Sequence, residues 1–187
     1  MKIKNILRAV LLMIVFDGYA TATTAGPDVT FAGFAFLGDF REKDKLYPYS
    51  SRLAEETVAT GQTKLNHALF NAAKRINNPS INFKLASAMD YKKGETISLA
   101  FAVSTEKTRV QGFRGKFFVH YEVYAQILVF DFSEMKVIAT YPIRVQYSDM
   151  LNEKPSDAYS LGIFRKIYLE PGFKSNIVDM WVKRMNS

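Results

Sequence analysis

The sequence predicts an α+β fold: a mainly antiparallel sheet with a long hairpin over about 117–148, one helix after the first strand, and two C-terminal helices. Three observations predict it. Apolar residues recur at helical spacing between Gln62 and Ile76. They alternate with polar residues over Ile97–Ser104 and through two long runs, Phe117–Phe132 and Val137–Ser148. Helical spacing then returns beyond Ser156. Strands clustered between helices, and not alternating with them, indicate one sheet covered on one face.

The chain opens with Lys2, Lys4 and Arg8, continues through an apolar run, Ala9–Phe16, and reaches the small-x-small string Ala20–Ala22. Residues 1–22 read as a cleaved secretory signal peptide, leaving 23–187 as a single globular domain. The apolar run falls well short of the roughly 20 residues that span a bilayer, so no integral membrane segment is expected after cleavage. The expected location is the periplasm or the outside of the cell. There is no cysteine, which excludes disulfides, thiolate metal sites and thiol nucleophiles. The net charge of +7 falls to +5 without residues 1–22, which leaves 22 basic and 17 acidic residues. That surplus favours anionic partners or surfaces.

Along the remaining chain, Val29–Asp39 is a near-continuous apolar run and predicts a strand buried on both faces. Pro48 marks a turn. Leu65, Ala68, Leu69, Ala72, Ala73 and Ile76 form the apolar stripe of a helix closed by Asn77–Ser80. Ile81–Ala86 predicts a short strand and Lys92–Glu95 a turn. Ile97, Leu99, Phe101 and Val103 mark the inward side of the next strand, which is followed by a loop containing Gln111–Lys116.

The two long runs predict a hairpin through Ser133–Lys136. Their apolar positions are odd-numbered in both, so paired residues must share parity. That requires an odd-numbered turn, unless a bulge intervenes. Pro142 cannot donate to a ladder and marks the second strand as an edge strand or a bulged one. Two helices follow, from about Ser156 to Leu169 and from about Ser175 to Met185, separated by Glu170-Pro171-Gly172.

The string Arg114–Tyr121, RGKFFVHY, approaches an RNA-recognition signature. It places Lys116 where a base-stacking aromatic is needed and Phe117 where a small residue belongs, so no nucleic-acid partner is expected. His120 and Glu122 share one strand face, but two ligands do not make a metal site, and neither a metal nor a cofactor is expected. The Ser-x-x-Lys strings at Ser104 and Ser133 fall at a strand end and in a turn, where a Lys cannot activate the Ser.

The outward face of the hairpin remains. His120, Glu122, Tyr124, Gln126, Arg144 and Gln146 form a mixed polar and aromatic surface suited to a protein partner. A second candidate lies at Asp39, Tyr47, Tyr49 and Arg52, around a strand end and an aromatic turn that could rim a small-ligand pocket. The order of apolar strand, helix, long hairpin and terminal helices is similar in outline to small periplasmic assembly modules such as the N-terminal domain of TolB and the CsgG-like domains. The expectation is an exported, non-catalytic interaction or assembly module whose partner is an envelope protein. The alternatives are a periplasmic small-ligand binding or sensing protein, and a hydrolase built on a carboxylate such as Asp39.

Overall fold

The computed structural model describes residues 28–79, 81–84, 97–131, 134 and 136–187. The expected signal peptide, the expected Lys92–Glu95 turn, and Ser133 and Met135 of the expected hairpin turn lie outside these residues. Five strands form one sheet: β1 (Asp28–Phe36), β2 (Asn82–Lys84), β3 (Ile97–Phe113), β4 (Lys116–Asp131) and β5 (Lys136–Leu151), in the spatial order β2-β1-β3-β4-β5. The helices are α1 (Lys43–Leu46), α2 (Ser50–Glu55), α3 (Lys64–Ala73), α4 (Asp157–Leu169) and α5 (Ile177–Met185), with a 3-10 turn at Phe40–Glu42.

The α+β class and the two C-terminal helices match the expectation. The sheet is mixed, because β1 runs parallel to both β2 and β3. The long pairings of β3 with β4 and of β4 with β5 are antiparallel. Two short helices and a 3-10 turn precede α3 where one helix was expected. The segment around Pro48 has too little apolar periodicity to announce them.

The hairpin parity holds. Tyr121 faces Tyr147, Val123 faces Val145 and Ala125 faces Ile143. An extra residue in β5, Ile138, shifts the register between Val129 and Phe130, so an even number of residues separates the strands. Strand β5 is the sheet edge, as Pro142 requires. The first strand is less buried than its apolar run suggests: Val29–Phe31 are buried, and beyond a bulge at Ala32 the strand is only half-covered.

Buried residues of α2, α3, α4 and α5 all join one core with Phe31, Leu99, Phe101, Val119, Tyr121, Val123 and Ile127. Trp181 of α5 sits in its centre, 5.2 Å from Phe31 and 6.1 Å from Phe101 between ring centroids. Core-facing positions of β5 are covered at Ile143 and Val145, but Tyr141 is exposed, and the bulge at Ile138 turns Val137, expected on the core side, to the opposite face beside Phe130, where it is exposed. A smaller cluster of Ala100, Ala102 and Leu128 lies on the opposite face, where β1 still flanks β3.

Candidate functional site

A second bulge decides what the opposite face presents. Strand β3 carries an extra residue at Ser104, between Val103 and Thr105. Before it, odd residues of β3 face the helices. After it, Glu106, Thr108 and Val110 take that side, and Lys107, Arg109, Gln111 and Phe113 turn to the open face. There, among the described residues, β3, β4 and β5 alone form the sheet, because β1 pairs with β3 only as far as Val103.

On β4 and β5 the open face carries an interlocked polar set. Glu122 is buried, and its Oε1 accepts from Arg144 Nε at 2.8 Å and from Gln146 Nε2 at 3.0 Å, with a further bond from Arg144 Nη2. Burial acts to raise the Glu122 pKa, but hydrogen bonds from Arg144, Tyr124 and Gln146 outweigh it and hold the carboxyl below its ordinary value. The Arg144 guanidinium lies 4.9 Å from the centre of the Tyr124 ring, a cation–π contact. His120 is held by Ser148 Oγ at 2.8 Å through Nδ1, and its Nε2 lies 3.3 Å from Gln146 Nε2.

The structure therefore brings His120, Glu122, Tyr124, Arg144 and Gln146 into one network. Gln126 lies on the same face but opposite Pro142, one pair beyond it. The arrangement can present a fixed guanidinium, an aromatic face and an imidazole to a partner without further ordering.

The other four candidates do not converge. Asp39 caps the 3-10 turn and is engaged by its own neighbour Arg41, through the backbone N at 3.0 Å and a forked guanidinium contact. Tyr47 is buried, and its hydroxyl donates to the Leu37 carbonyl at 2.5 Å. Tyr49 stacks on Phe164 at 4.7 Å. Arg52 pairs with Asp157 at 2.8 Å.

What organises this segment is Glu106, which sequence reading missed. Its carboxylate reaches through the core face to accept from Tyr49 N at 2.7 Å and Ser50 N at 2.8 Å. Burial pushes its pKa up against those bonds. The signal lay in the broken alternation at Ser104, which puts a lone Glu among core positions.

A shallow groove of about 470 Å³ lies elsewhere, between α3 and the α4–α5 connection. Ala68 and Ala72 keep it open, with Lys64, His67 and Arg75 along one rim. Among the described residues no group of three or more His, Cys, Asp or Glu could hold a metal ion, and no helix is long and apolar enough to cross a membrane.

No protein-family model matches the chain, and no curated protein matches it. Among solved structures it is similar to a neuraminyllactose-binding hemagglutinin homolog from Helicobacter pylori, at 8% identity over 86% of each chain and a TM-score of 0.45. It is also similar to a hypothetical protein from Chlamydia trachomatis, at 10% identity over 87% of this chain and 96% of that one, with a TM-score of 0.46. A minor lipoprotein from Acinetobacter baumannii matches at 8% identity over 85% and 87% of the two chains, with a TM-score of 0.31. At these scores the likenesses carry no argument about function, which rests on the site itself.

Proposed function

We propose that this chain is a non-catalytic interaction module of the cell envelope, periplasmic or secreted, which docks a protein partner on the open face of β4 and β5. The observation that carries the reading is the asymmetry of the sheet. Buried residues of α2–α5 pack on one face, while the other presents Tyr124 and Arg144 in a preformed network anchored by Glu122. Aromatic and arginine side chains held in one rotamer are favoured anchors, because little side-chain entropy remains to be lost on docking. A photo-crosslinking residue placed at Gln126 should capture one dominant envelope protein in intact cells. The same residue at Met180, exposed on the helical side, should not. Tyr124→Ala should then weaken the capture while leaving the melting temperature within a few degrees. Equal capture from both positions, or none from Gln126, would remove the reading.

A second reading, small-ligand binding, is supported by the groove between α3 and the α4–α5 connection; a cavity of about 590 Å³ is also lined by Phe40, Lys43 and Ser51 of the Asp39–Arg52 segment, but by none of Asp39, Tyr47, Tyr49 and Arg52. The floor of the groove is apolar, and on its rim Lys64 and Arg75 are already paired with Glu56 and Asp179, which suits a small, mainly apolar ligand. A saturable rise in melting temperature, abolished by Ala68→Leu, would favour it over the interaction module. The hydrolase alternative has no comparable support, since both carboxylate oxygens of Asp39 are engaged by Arg41.

A further inference from the structure

The end of the β3–β4 hairpin has a character of its own. Arg114 and Gly115 form its two-residue turn with φ values of 48° and 74°, the left-handed pair that a tight hairpin turn demands. From Lys107 to Tyr121 the chain contains Lys107, Arg109, Arg114 and Lys116 and no Asp or Glu. None of the four pairs with a carboxylate among the described residues. Interleaved with them, Phe113 is 62% exposed, Phe118 43% and Met150 59%. Register puts all three on the open face: Phe118 pairs with Met150 on β5 and with Gln111 on β3, and Phe113 pairs with Lys116 at the turn. Val110, 39% exposed, adds an apolar side chain on the reverse face.

We propose that this hairpin end docks on an anionic lipid surface, with Phe113, Phe118 and Met150 entering the headgroup layer and Lys107, Arg109, Arg114 and Lys116 meeting the lipid phosphates. Charge complementarity selects this occupant. Arg114 lies 5.1 Å from the centre of the Phe113 ring, but none of the four cations has a carboxylate to neutralise it, and together they attract an anionic leaflet, each strengthening binding by about fivefold. Exposed aromatic rings ringed by Lys and Arg match the interface of a bilayer, whereas the cores of protein interfaces are depleted in Lys. Apolar side chains on both faces of the hairpin end, Phe113, Phe118 and Met150 on one and Val110 on the other, suit insertion into a layer more than face-on docking. This surface borders the Tyr124–Arg144 network, with Lys107 opposite Glu122 and Arg109 opposite His120, but does not depend on that network having a partner.

The test is flotation of the purified chain with vesicles of phosphatidylcholine alone or mixed with phosphatidylglycerol. Binding is expected only with phosphatidylglycerol present, weakening as salt is raised. Phe113→Ser with Phe118→Ser should lower the partition coefficient by about tenfold or more, and Arg109→Gln with Arg114→Gln by about twenty-five-fold. Tyr124→Ala should leave it unchanged. These positions are exposed, so an unchanged melting temperature confirms that the variants fold. Failure to bind phosphatidylglycerol vesicles, or binding that neither pair of substitutions reduces, overturns the proposal. So does crosslinking of Phe118 to a protein in cells without vesicle binding in vitro, which would make this end part of the protein-docking face.

Discussion

Glu56 and Glu106 are two carboxyls in one protein with opposite responses to burial and partners. Glu56, at the end of α2, meets Arg165 of α4 through paired bonds of 2.6 and 2.5 Å, with Lys64 at 3.0 Å, and its pKa is lowered to about 2 chiefly by Arg165. Its stabilising contribution is therefore present above the unfolded pKa of about 4.3 and is lost as pH falls from there through about 2. The shift alone would correspond to about 3 kcal/mol, but Arg165 is 41% exposed, and screening reduces this to about 1–2 kcal/mol. Glu56→Gln should cost that much at pH 7 and progressively less in acid, so that the denaturation midpoints of variant and wild type converge near pH 2. A constant difference across that range would mean that Gln disturbs packing and that the ion pair contributes little. Glu106 works the other way. Burial raises its pKa, so its contribution is fully present below the unfolded value and is lost as pH rises through the folded one.

Bulges and edges account for what sequence reading caught and what it missed at the scale of elements. The core side of β4 was legible because Val119, Tyr121, Val123, Ala125 and Ile127 keep one parity without interruption, and all are buried. Strand β3 was read only to Ser104 because the bulge there exchanges the faces, and Lys107-Thr-Arg-Val-Gln then follows a pattern out of phase with Leu99-Ala-Phe-Ala-Val. The same break concealed Glu106 and the basic hairpin end. The Asp39–Arg52 candidate misled for another reason: Tyr47 and Tyr49 are core aromatics whose residue types alone resemble a binding rim. Pro142 was legible as an edge signal, and its phase shows what it does there. It shares parity with Gln146, whose carbonyl accepts from Ser175 Oγ at 2.7 Å, off the ladder. The absent N–H therefore falls on the free edge of β5, where a donor would invite another strand. Pro142→Val should leave the fold intact and promote self-association, seen as a concentration-dependent rise in sedimentation coefficient. A monomer at every concentration would show that Ser175 and the twist of β5 already protect the edge.

At the scale of the whole molecule, the core packs on one side of the sheet, and the recognition proposed for this chain falls on the other. Trp181, with no exposed surface, joins α5 to β1 and β3 through Phe31 and Phe101. Phe118, a large aromatic as well, sits on the open face with Met150 as its cross-strand neighbour. Removing the first leaves a cavity that α3, α5 and the sheet cannot close together, at a cost of about 3–5 kcal/mol. Against a total of about 5–15 kcal/mol, that loss threatens the folded state. Removing the second uncovers little, and its effect should stay within about 0.5 kcal/mol. Urea unfolding of Trp181→Ala and Phe118→Ala at neutral pH should therefore give a midpoint far below wild type for the first and an unchanged one for the second. Retention of stability by Phe118→Ala is what leaves that position free to be set by what it touches outside the fold. If Phe118→Ala proved as damaging as Trp181→Ala, the open face would be part of the protein's own core, and neither the docking of a partner nor that of a lipid surface could be assigned to it.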